Sequence, residues 1–135
     1  MYLTLPVSKS PSIAVLIGDL SKYFILTVAD LSAYGTGDGT PPAAPTGLIA
    51  TGTTGSVLLD WDDNAELDLV SYTVYRSTTM GSAYSQLASG LTSSDYTDYT
   101  AVFGTTYYYV VTATDIAANE STDSSEANGT PSEAA

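Results

Sequence analysis

Residues 104–113, Gly-Thr-Thr-Tyr-Tyr-Tyr-Val-Val-Thr-Ala, constrain the fold of this chain more than any other stretch. A glycine turn signal leads directly into a run of tyrosine and valine, which is the composition of a β-strand. Because side chains alternate between the two faces of a strand, one face collects Tyr107, Tyr109, Val111 and Ala113. The pattern predicts a strand that packs against a second sheet rather than an active site.

The composition removes most catalytic chemistry. The 135 residues include no cysteine and no histidine. A disulfide framework and a thiolate metal site are therefore excluded, and so are Ser-His and Cys-His nucleophile pairs. The length suits one ordinary domain with an appendage. We predict a protein that is not an enzyme and has no cofactor.

Negative charge is concentrated in the second part of the chain. Residues 1–40 hold Lys9 and Lys22 against three acids, whereas residues 41–135 hold Arg76 against twelve acids, a net charge of −11. Such a surface repels phosphate backbones and anionic lipid, so nucleic-acid binding through this part is excluded. A solvated acidic face would keep a displayed domain soluble.

The apolar stretch at residues 12–29 does not predict a membrane span. Asp19 and Lys22 divide it into two runs, each well below the length of a transmembrane helix. The amino end also lacks the basic region and the cleavage pattern of a secretory signal. We therefore predict no membrane insertion and no signal peptide.

A glycine-rich and then proline-rich stretch divides the chain. Residues 35–45 have the composition of a flexible joint that stiffens into an extended lead-in. This predicts a docking or assembly segment at 1–34, a β-sandwich at 46–131 and a short tail at 132–135.

The first segment is β-rich and too apolar to fold alone. Strand candidates lie at 2–5, 12–17 and 23–29, with a hairpin turn at 18–21, and a helix over 20–33 is the competing interpretation. So short a sheet cannot shield both of its faces, so the segment needs a neighbouring domain, a second copy or a larger assembly. The predicted assembly interface consists of Leu3, Leu5, Ile13, Val15, Ile17, Tyr23, Phe24, Ile25, Leu26 and Val28.

Seven strand candidates recur downstream at the spacing of an all-β sandwich. They lie at 46–51, 57–61, 72–76, 85–88, 95–97, 107–113 and 126–130, separated by turn signals that include Ser89-Gly90 and Phe103-Gly104. Alternation predicts a structural core that contains Trp61, Tyr72, Val74, Tyr96, Tyr107, Tyr109 and Val111.

Several of these motifs together resemble a bacterial-type fibronectin type III domain over about residues 42–131. The motifs are the proline-rich lead-in at 41–48, Leu-Asp-Trp-Asp-Asp-Asn at 59–64, Tyr-Thr-Val-Tyr-Arg-Ser at 72–77, Tyr-Thr-Asp at 96–98 and the strand at 104–113. The resemblance implies an all-β, seven-stranded immunoglobulin-like sandwich. Residues 1–40 lie outside it and add an N-terminal β-rich docking arm.

The resemblance also implies roles for single residues. Trp61 would be a core residue, and the Tyr107 hydroxyl would return to the backbone. Members of this family act mostly as spacers and adhesive modules, without catalytic residues. The last strand departs from the family pattern because Ala127 and Gly129 replace bulkier inward residues, and we expect that edge to be the weakest. No Arg-Gly-Asp motif is present.

Two groups of residues are candidate binding sites. Hard oxygen ligands for Ca²⁺ are offered by Asp60, Asp62, Asp63, Glu66 and Asp68, although an EF-hand would require glycine and glutamate where Ala65 and Ser71 stand. Turn formation and solvation explain the same acids. A second candidate is an aromatic strip formed by the outward tyrosines Tyr75, Tyr84, Tyr99 and Tyr108. The loop at 115–120, with Ile116 at its tip, is a further contact candidate.

These features lead to a hypothesis of a non-enzymatic display protein. The arm would dock on a larger assembly, most simply a phage virion as a capsid decoration or head-fibre protein, or on copies of itself, while the acidic sandwich is exposed at the virion surface for weak adhesion. Two alternatives stay open. One is a carbohydrate-directed accessory module of a secreted enzyme or cell-surface protein, with glycans as the partner, and the other is a subunit of an extracellular filament.

Overall fold

A computed structural model describes residues 14–16, 25–27 and 39–133 of the chain. In the first segment, β1 (Ala14–Leu16) pairs with β2 (Ile25–Thr27) as an antiparallel two-stranded sheet. Two of the strands expected there are thus seen, and residues 25–27 do not adopt the competing helix.

Most of the predicted assembly interface cannot be placed in this structure. Only the backbone is described for Val15, Ile25 and Leu26. The other members lie outside the described residues, and they are Leu3, Leu5, Ile13, Ile17, Tyr23, Phe24 and Val28. The docking arm therefore stays a prediction.

The second part is an antiparallel sandwich of seven strands, as predicted. One sheet has the order β3-β4-β7 and the other has the order β6-β5-β8-β9. The strands are β3 (Ile49–Thr53), β4 (Ser56–Asp60), β5 (Leu69–Ser77), β6 (Ser85–Leu91), β7 (Asp95–Asp98), β8 (Tyr107–Asp115) and β9 (Ala127–Gly129). No helix in the described part of the chain is long and apolar enough to cross a membrane.

The core lies between the two sheets and is built by alternation along β4, β5 and β8. The indole ring of Trp61 meets the ring of Tyr72 edge-on, with centroids 5.3 Å apart. Tyr96 is half-buried and packs against this core. The buried members of this core are Val57, Leu59, Trp61, Tyr72, Val74, Ala101, Tyr107, Tyr109, Val111 and Ala113.

The β6 strand departs from the sequence expectation. Ser89-Gly90 was expected to be a turn, but β6 continues through both residues to Leu91. Tyr72 pairs with Leu91 and Val74 with Ala88, so the register shifts in between. Gly90 has a φ of 70° there, a conformation that glycine adopts without strain. The glycine signal therefore marks a β-bulge inside a strand.

The sandwich takes in residues that the sequence assigned to the linker and the tail. Pro42 and Pro45 are buried, so the lead-in packs on the domain. At the other end of the chain, Ser132 accepts a hydrogen bond from the Gly55 N–H (3.1 Å) and donates one to the Thr53 carbonyl (2.9 Å). Backbone contacts therefore extend the folded unit at both ends.

Glycines allow the edge strands β3 and β9 to approach closely. A Cβ atom on Gly52 would lie 1.9 Å from the Thr130 carbonyl oxygen, and one on Gly129 would lie 2.7 Å from Val57 Cγ1. Both contacts are too short for any side chain. The absence of a side chain at Gly129 lets the two sheets meet there, and the expected weakness of this edge stays a prediction.

Candidate functional site

The five carboxylates proposed as Ca²⁺ ligands lie at the end of β4 and in the β4–β5 loop, residues 61–68. Asp62 accepts a hydrogen bond from the Thr46 hydroxyl (3.0 Å), and Asp63 accepts one from the Ser94 hydroxyl. Within residues 39–133, no three acidic side chains gather as metal ligands. The structure therefore does not bring Asp60, Asp62, Asp63, Glu66 and Asp68 together as a coordinating group.

The β4–β5 loop instead holds the lead-in of its own chain. The Ala43 N–H donates to Glu66 Oε1 (2.6 Å), and Asn64 Nδ2 donates both to the Ala43 carbonyl (2.8 Å) and to Glu66 Oε2 (3.1 Å). Partial burial alone would raise the pKa of Glu66, but these hydrogen bonds outweigh it and lower the pKa below its usual value. A shallow pocket of about 380 Å³ remains between this loop and the lead-in.

Two of the outward tyrosines are tied to acidic side chains of the chain itself. The Tyr75 hydroxyl donates to Glu120 (2.6 Å), and the Tyr84 hydroxyl donates to Glu126. Hydrogen bonding to Glu120 together with burial raises the pKa of Tyr75, and burial together with Glu126 raises the pKa of Tyr84 to about 12. The proposed aromatic strip is therefore not an open surface at these two residues.

The tyrosine strip is divided in a second way. Tyr75 pairs with Val110 and Ser77 pairs with Tyr108, so Tyr75 and Tyr108 share the outer face of the four-stranded sheet. Tyr108 is half-buried there. Tyr99 lies outside this sheet, in the β7–β8 loop, and is 79% exposed. The four tyrosines therefore do not form one continuous binding strip.

The β7–β8 loop, residues 99–106, displays three large exposed apolar side chains. Tyr99, Val102 and Phe103 are 79%, 60% and 57% exposed, while Ala101 between them is buried. We call Tyr99, Val102 and Phe103 the apolar loop patch. Sequence reasoning treated Phe103 only as part of a turn and did not consider Val102. Large apolar residues directly before a glycine turn, where polar residues are usual, were the available signal.

A buried polar network fixes the base of this loop. Asp98 is completely buried and forms a salt bridge of 2.8 Å with Arg76. It also accepts hydrogen bonds from the Tyr109 hydroxyl (2.9 Å) and from the Thr100 N–H (2.9 Å). Burial alone would raise the pKa of Asp98, but hydrogen bonds from Thr100, Arg76 and Tyr109 outweigh it and lower the pKa below its usual value.

Backbone groups of the same loop are fixed at two more points. The Tyr107 hydroxyl accepts a hydrogen bond from the Val102 N–H (3.1 Å), which is the return to the backbone that the family resemblance implies. The Gly104 N–H donates to the Pro131 carbonyl (3.1 Å). The Arg76 guanidinium lies 4.5 Å from the centre of the Tyr107 ring. The loop is thus held in one conformation from below, while its apolar side chains stay in solvent.

A second set of exposed apolar residues lies at the opposite end of the sandwich. Leu67, Val70 and Ile116 are 82%, 50% and 60% exposed. The Ile116 N–H donates to the Asp68 carbonyl (2.9 Å), so the predicted loop at 115–120 lies beside the acidic β4–β5 loop. Asp115 shapes that loop by accepting hydrogen bonds from the backbone N–H groups of residues 117 and 119. Leu67 thus lies between two acids in the sequence and Ile116 directly follows a third.

Comparison with known proteins finds regions of longer enzymes that are similar to this chain. A region of poly(3-hydroxybutyrate) depolymerase from Ralstonia pickettii is 44% identical over 98 residues, covering 71% of this chain and 18% of that enzyme. A region of amylopullulanase from Thermoanaerobacter thermohydrosulfuricus is 42% identical over 94 residues, covering 68% of this chain and 6% of that enzyme. The chain therefore spans less than a fifth of either relative. No family model matches the chain.

A solved structure identifies the family. The Fn3-like protein from Clostridium thermocellum is 36% identical, has a TM-score of 0.62 and is matched over 99% of its length and 71% of this chain. Sheet order, the buried Trp61 and the Tyr107 hydrogen bond agree with that assignment. The chain belongs to the fibronectin type III-like proteins.

Proposed function

We propose that this chain is a non-catalytic accessory module of a polymer-degrading enzyme. The observation that carries the proposal is the sequence identity of this chain with short regions of two long enzymes. One is named a poly(3-hydroxybutyrate) depolymerase and the other an amylopullulanase. Both names denote enzymes that act on polymers. A polymer of this kind that is supplied from the surroundings is too large to enter a cell, so we propose that the module works outside the cell.

The residues of the sandwich support a binding role rather than a catalytic one. The carboxylates of the β4–β5 loop hold the lead-in, and the buried Asp98 holds the β7–β8 loop. A pair of carboxylates for polymer hydrolysis needs a cleft with an apolar wall that raises one pKa. The three carboxylates with a shifted pKa in the described residues, Glu66, Asp98 and Asp115, all have it lowered. This favours a module that positions an enzyme on its substrate.

The virion hypothesis has less support than this alternative. The two relatives described above are named as polymer-degrading enzymes, and neither name indicates a virion component. The docking arm on which that hypothesis depends lies mostly outside the described residues. We therefore assign residues 1–34 no role here beyond the prediction that they need a partner surface.

Adsorption to insoluble polymers tests the proposed function. The full chain is incubated with particles of starch, of a neutral β-glucan and of an aliphatic polyester, and both depletion of the protein from solution and release of soluble products are measured. We expect adsorption to at least one polymer and no released product. Product release would contradict the non-catalytic part of the proposal, and no adsorption to any particle would contradict the accessory part.

A further inference from the structure

We propose that the apolar loop patch, Tyr99, Val102 and Phe103, is the docking surface of the module, and that its ligand is an uncharged aliphatic polyester. This inference rests on the proposed function and specifies its contact surface and its substrate class. All three side chains are more than half exposed on a single loop of eight residues. Large exposed apolar side chains gathered on one loop are a candidate interaction site.

The patch is preorganised for binding. Thr100 donates its N–H (2.9 Å) and its hydroxyl (2.7 Å) to Asp98, and Arg76 donates to the Thr100 hydroxyl (2.8 Å). The hydrogen bonds of Val102 with Tyr107 and of Gly104 with Pro131 fix the rest of the loop. A loop already ordered in the free protein loses little conformational entropy when it docks.

The charge distribution indicates an uncharged partner. The sequence contains no charged residue from 99 to 114, although residues 41–135 as a whole carry a net charge of −11, from Arg76 against twelve acids. Asp98, which directly precedes the patch in the sequence, is buried and is neutralised by its salt bridge with Arg76. A polyanion would be repelled by the rest of the domain, whereas an uncharged surface meets a matching uncharged loop.

The polar groups of the loop favour a polyester over a polysaccharide. A sugar surface presents many hydroxyls, each of which needs a hydrogen-bonding partner when water is removed. Of the three threonine hydroxyls in the loop, that of Thr100 is bound to Asp98 and that of Thr106 to the Thr130 hydroxyl (2.7 Å), so most of this hydrogen-bonding capacity is already used. Val102 and Phe103 offer only apolar contacts. Methyl and methylene groups suit these two side chains, and the Tyr99 hydroxyl can donate to an ester carbonyl.

The test measures adsorption of the full chain to particles of poly(3-hydroxybutyrate), with insoluble starch and β-glucan as comparison surfaces. The patch variant carries Tyr99→Ala, Val102→Ser and Phe103→Ser. The control variant carries Leu67→Ser and Ile116→Ser, which remove equally exposed apolar groups at the opposite end of the sandwich. Residues 1–40 are identical in all three proteins, so any adsorption through them is common to all.

We expect the patch variant to lose at least about tenfold in affinity for the polyester, while the control variant keeps the affinity of the parent protein. Unfolding curves should be nearly the same for all three proteins, because the substituted side chains are exposed. Equal adsorption of parent and patch variant would overturn the inference. Stronger adsorption to starch or β-glucan than to polyester would also overturn it, and would leave the proposed function standing.

A second copy of the chain is the other occupant to test. Sedimentation equilibrium of the parent and of the patch variant reports self-association directly. We expect the patch substitutions to leave the oligomeric state unchanged. A dimer that dissociates only in the patch variant would show that the patch is a protein–protein interface, and it would overturn the polyester assignment.

Discussion

The β4–β5 loop and the β7–β8 loop lie at opposite ends of one sandwich and use their polar groups differently. In the first, Asn64 and Glu66 form hydrogen bonds with the lead-in of the chain at the surface. In the second, Asp98 forms hydrogen bonds with the loop from inside the core. Hydrogen bonds hold both loops in place, but only in the second loop do the bonding polar groups lie beneath the surface. The position of the hydrogen bonds that hold a loop therefore decides which of its side chains stay exposed to a partner.

The two ends also differ in charge. Leu67 at the first end is 82% exposed but lies between Glu66 and Asp68 in the sequence. Tyr99 at the second end is 79% exposed, and its only charged neighbour in the sequence is the buried Asp98. Single exposed apolar side chains among carboxylates are ordinary surface. The same exposure in a loop without charged residues leaves an apolar surface that is less strongly hydrated, so a partner can cover it more easily.

The largest expected effect comes from the substitution Asp98→Ala, which removes the buried hydrogen bonds beneath the β7–β8 loop. Arg76, Tyr109 and Thr100 would lose their acceptor, and a partly buried charge would be left without its partner. We expect a loss of about 3 kcal/mol in the free energy of unfolding, measured by equilibrium denaturation. The matched Asp62→Ala change at the other end removes an exposed hydrogen bond to Thr46 and should cost less than about 1 kcal/mol. Equal losses would show that the two loops are fastened alike.

The next effect concerns the backbone closure beside the β7–β8 loop. Gly52→Ala would place a Cβ atom 1.9 Å from the Thr130 carbonyl oxygen, which neither strand can avoid without moving. We expect a loss of about 2 kcal/mol in the free energy of unfolding. Gly39→Ala is the control, because a Cβ atom there meets nothing within 4 Å. An unchanged stability of the Gly52 variant would mean that β3 and β9 are not in close contact in solution.

Alternation within strands, the spacing of turn signals and the family resemblance together predicted the sandwich. Tyr107, Tyr109 and Val111 alternate along one strand, and the pattern of each strand is written in adjacent residues. The closure at Gly52 and Gly129 could not be predicted in this way, because it depends on the approach of two strands far apart in the sequence. Glycine in a strand signals that something unusual occurs, without saying whether it is a turn, a bulge or a close contact.

The candidate sites were harder to predict than the core. A dense set of acids such as Asp62, Asp63 and Glu66 suggests a cation, but their oxygens accept hydrogen bonds from Thr46, Ser94 and Ala43. Those donors come from other parts of the chain, and the sequence gives no sign of their approach. The buried role of Asp98 was missed for the same reason, since its partners lie on β5 and β8.

Low pH should weaken the two loops to different extents, through Asp98 at the β7–β8 loop and Glu66 at the β4–β5 loop. The pKa of Asp98 and that of Glu66 are lowered in the folded protein, so each contributes stability above its ordinary pKa, 3.8 for Asp98 and 4.5 for Glu66, and loses it as the pH falls through the lowered value. We expect the free energy of unfolding to decrease below about pH 4. Asp98→Asn should remove more of this decrease than Glu66→Gln, because only Asp98 is fully buried. The reverse order would mean that the external fastening is the stronger one.

The smallest effect concerns a like-charged pair at the acidic end. Asp60 on β4 lies directly opposite Asp95 on β7, and both are exposed. Like charges in opposite positions of antiparallel strands repel, so Asp95→Asn should raise the free energy of unfolding by about 0.2–0.5 kcal/mol at low salt. The gain should shrink at 1 M salt, where the Debye length is about 3 Å. Asp123→Asn, which removes an exposed acid from a loop without a cross-strand partner, should give a smaller gain. An equal gain from both changes would assign the repulsion to the net charge of the domain and would remove the electrostatic distinction between its two ends.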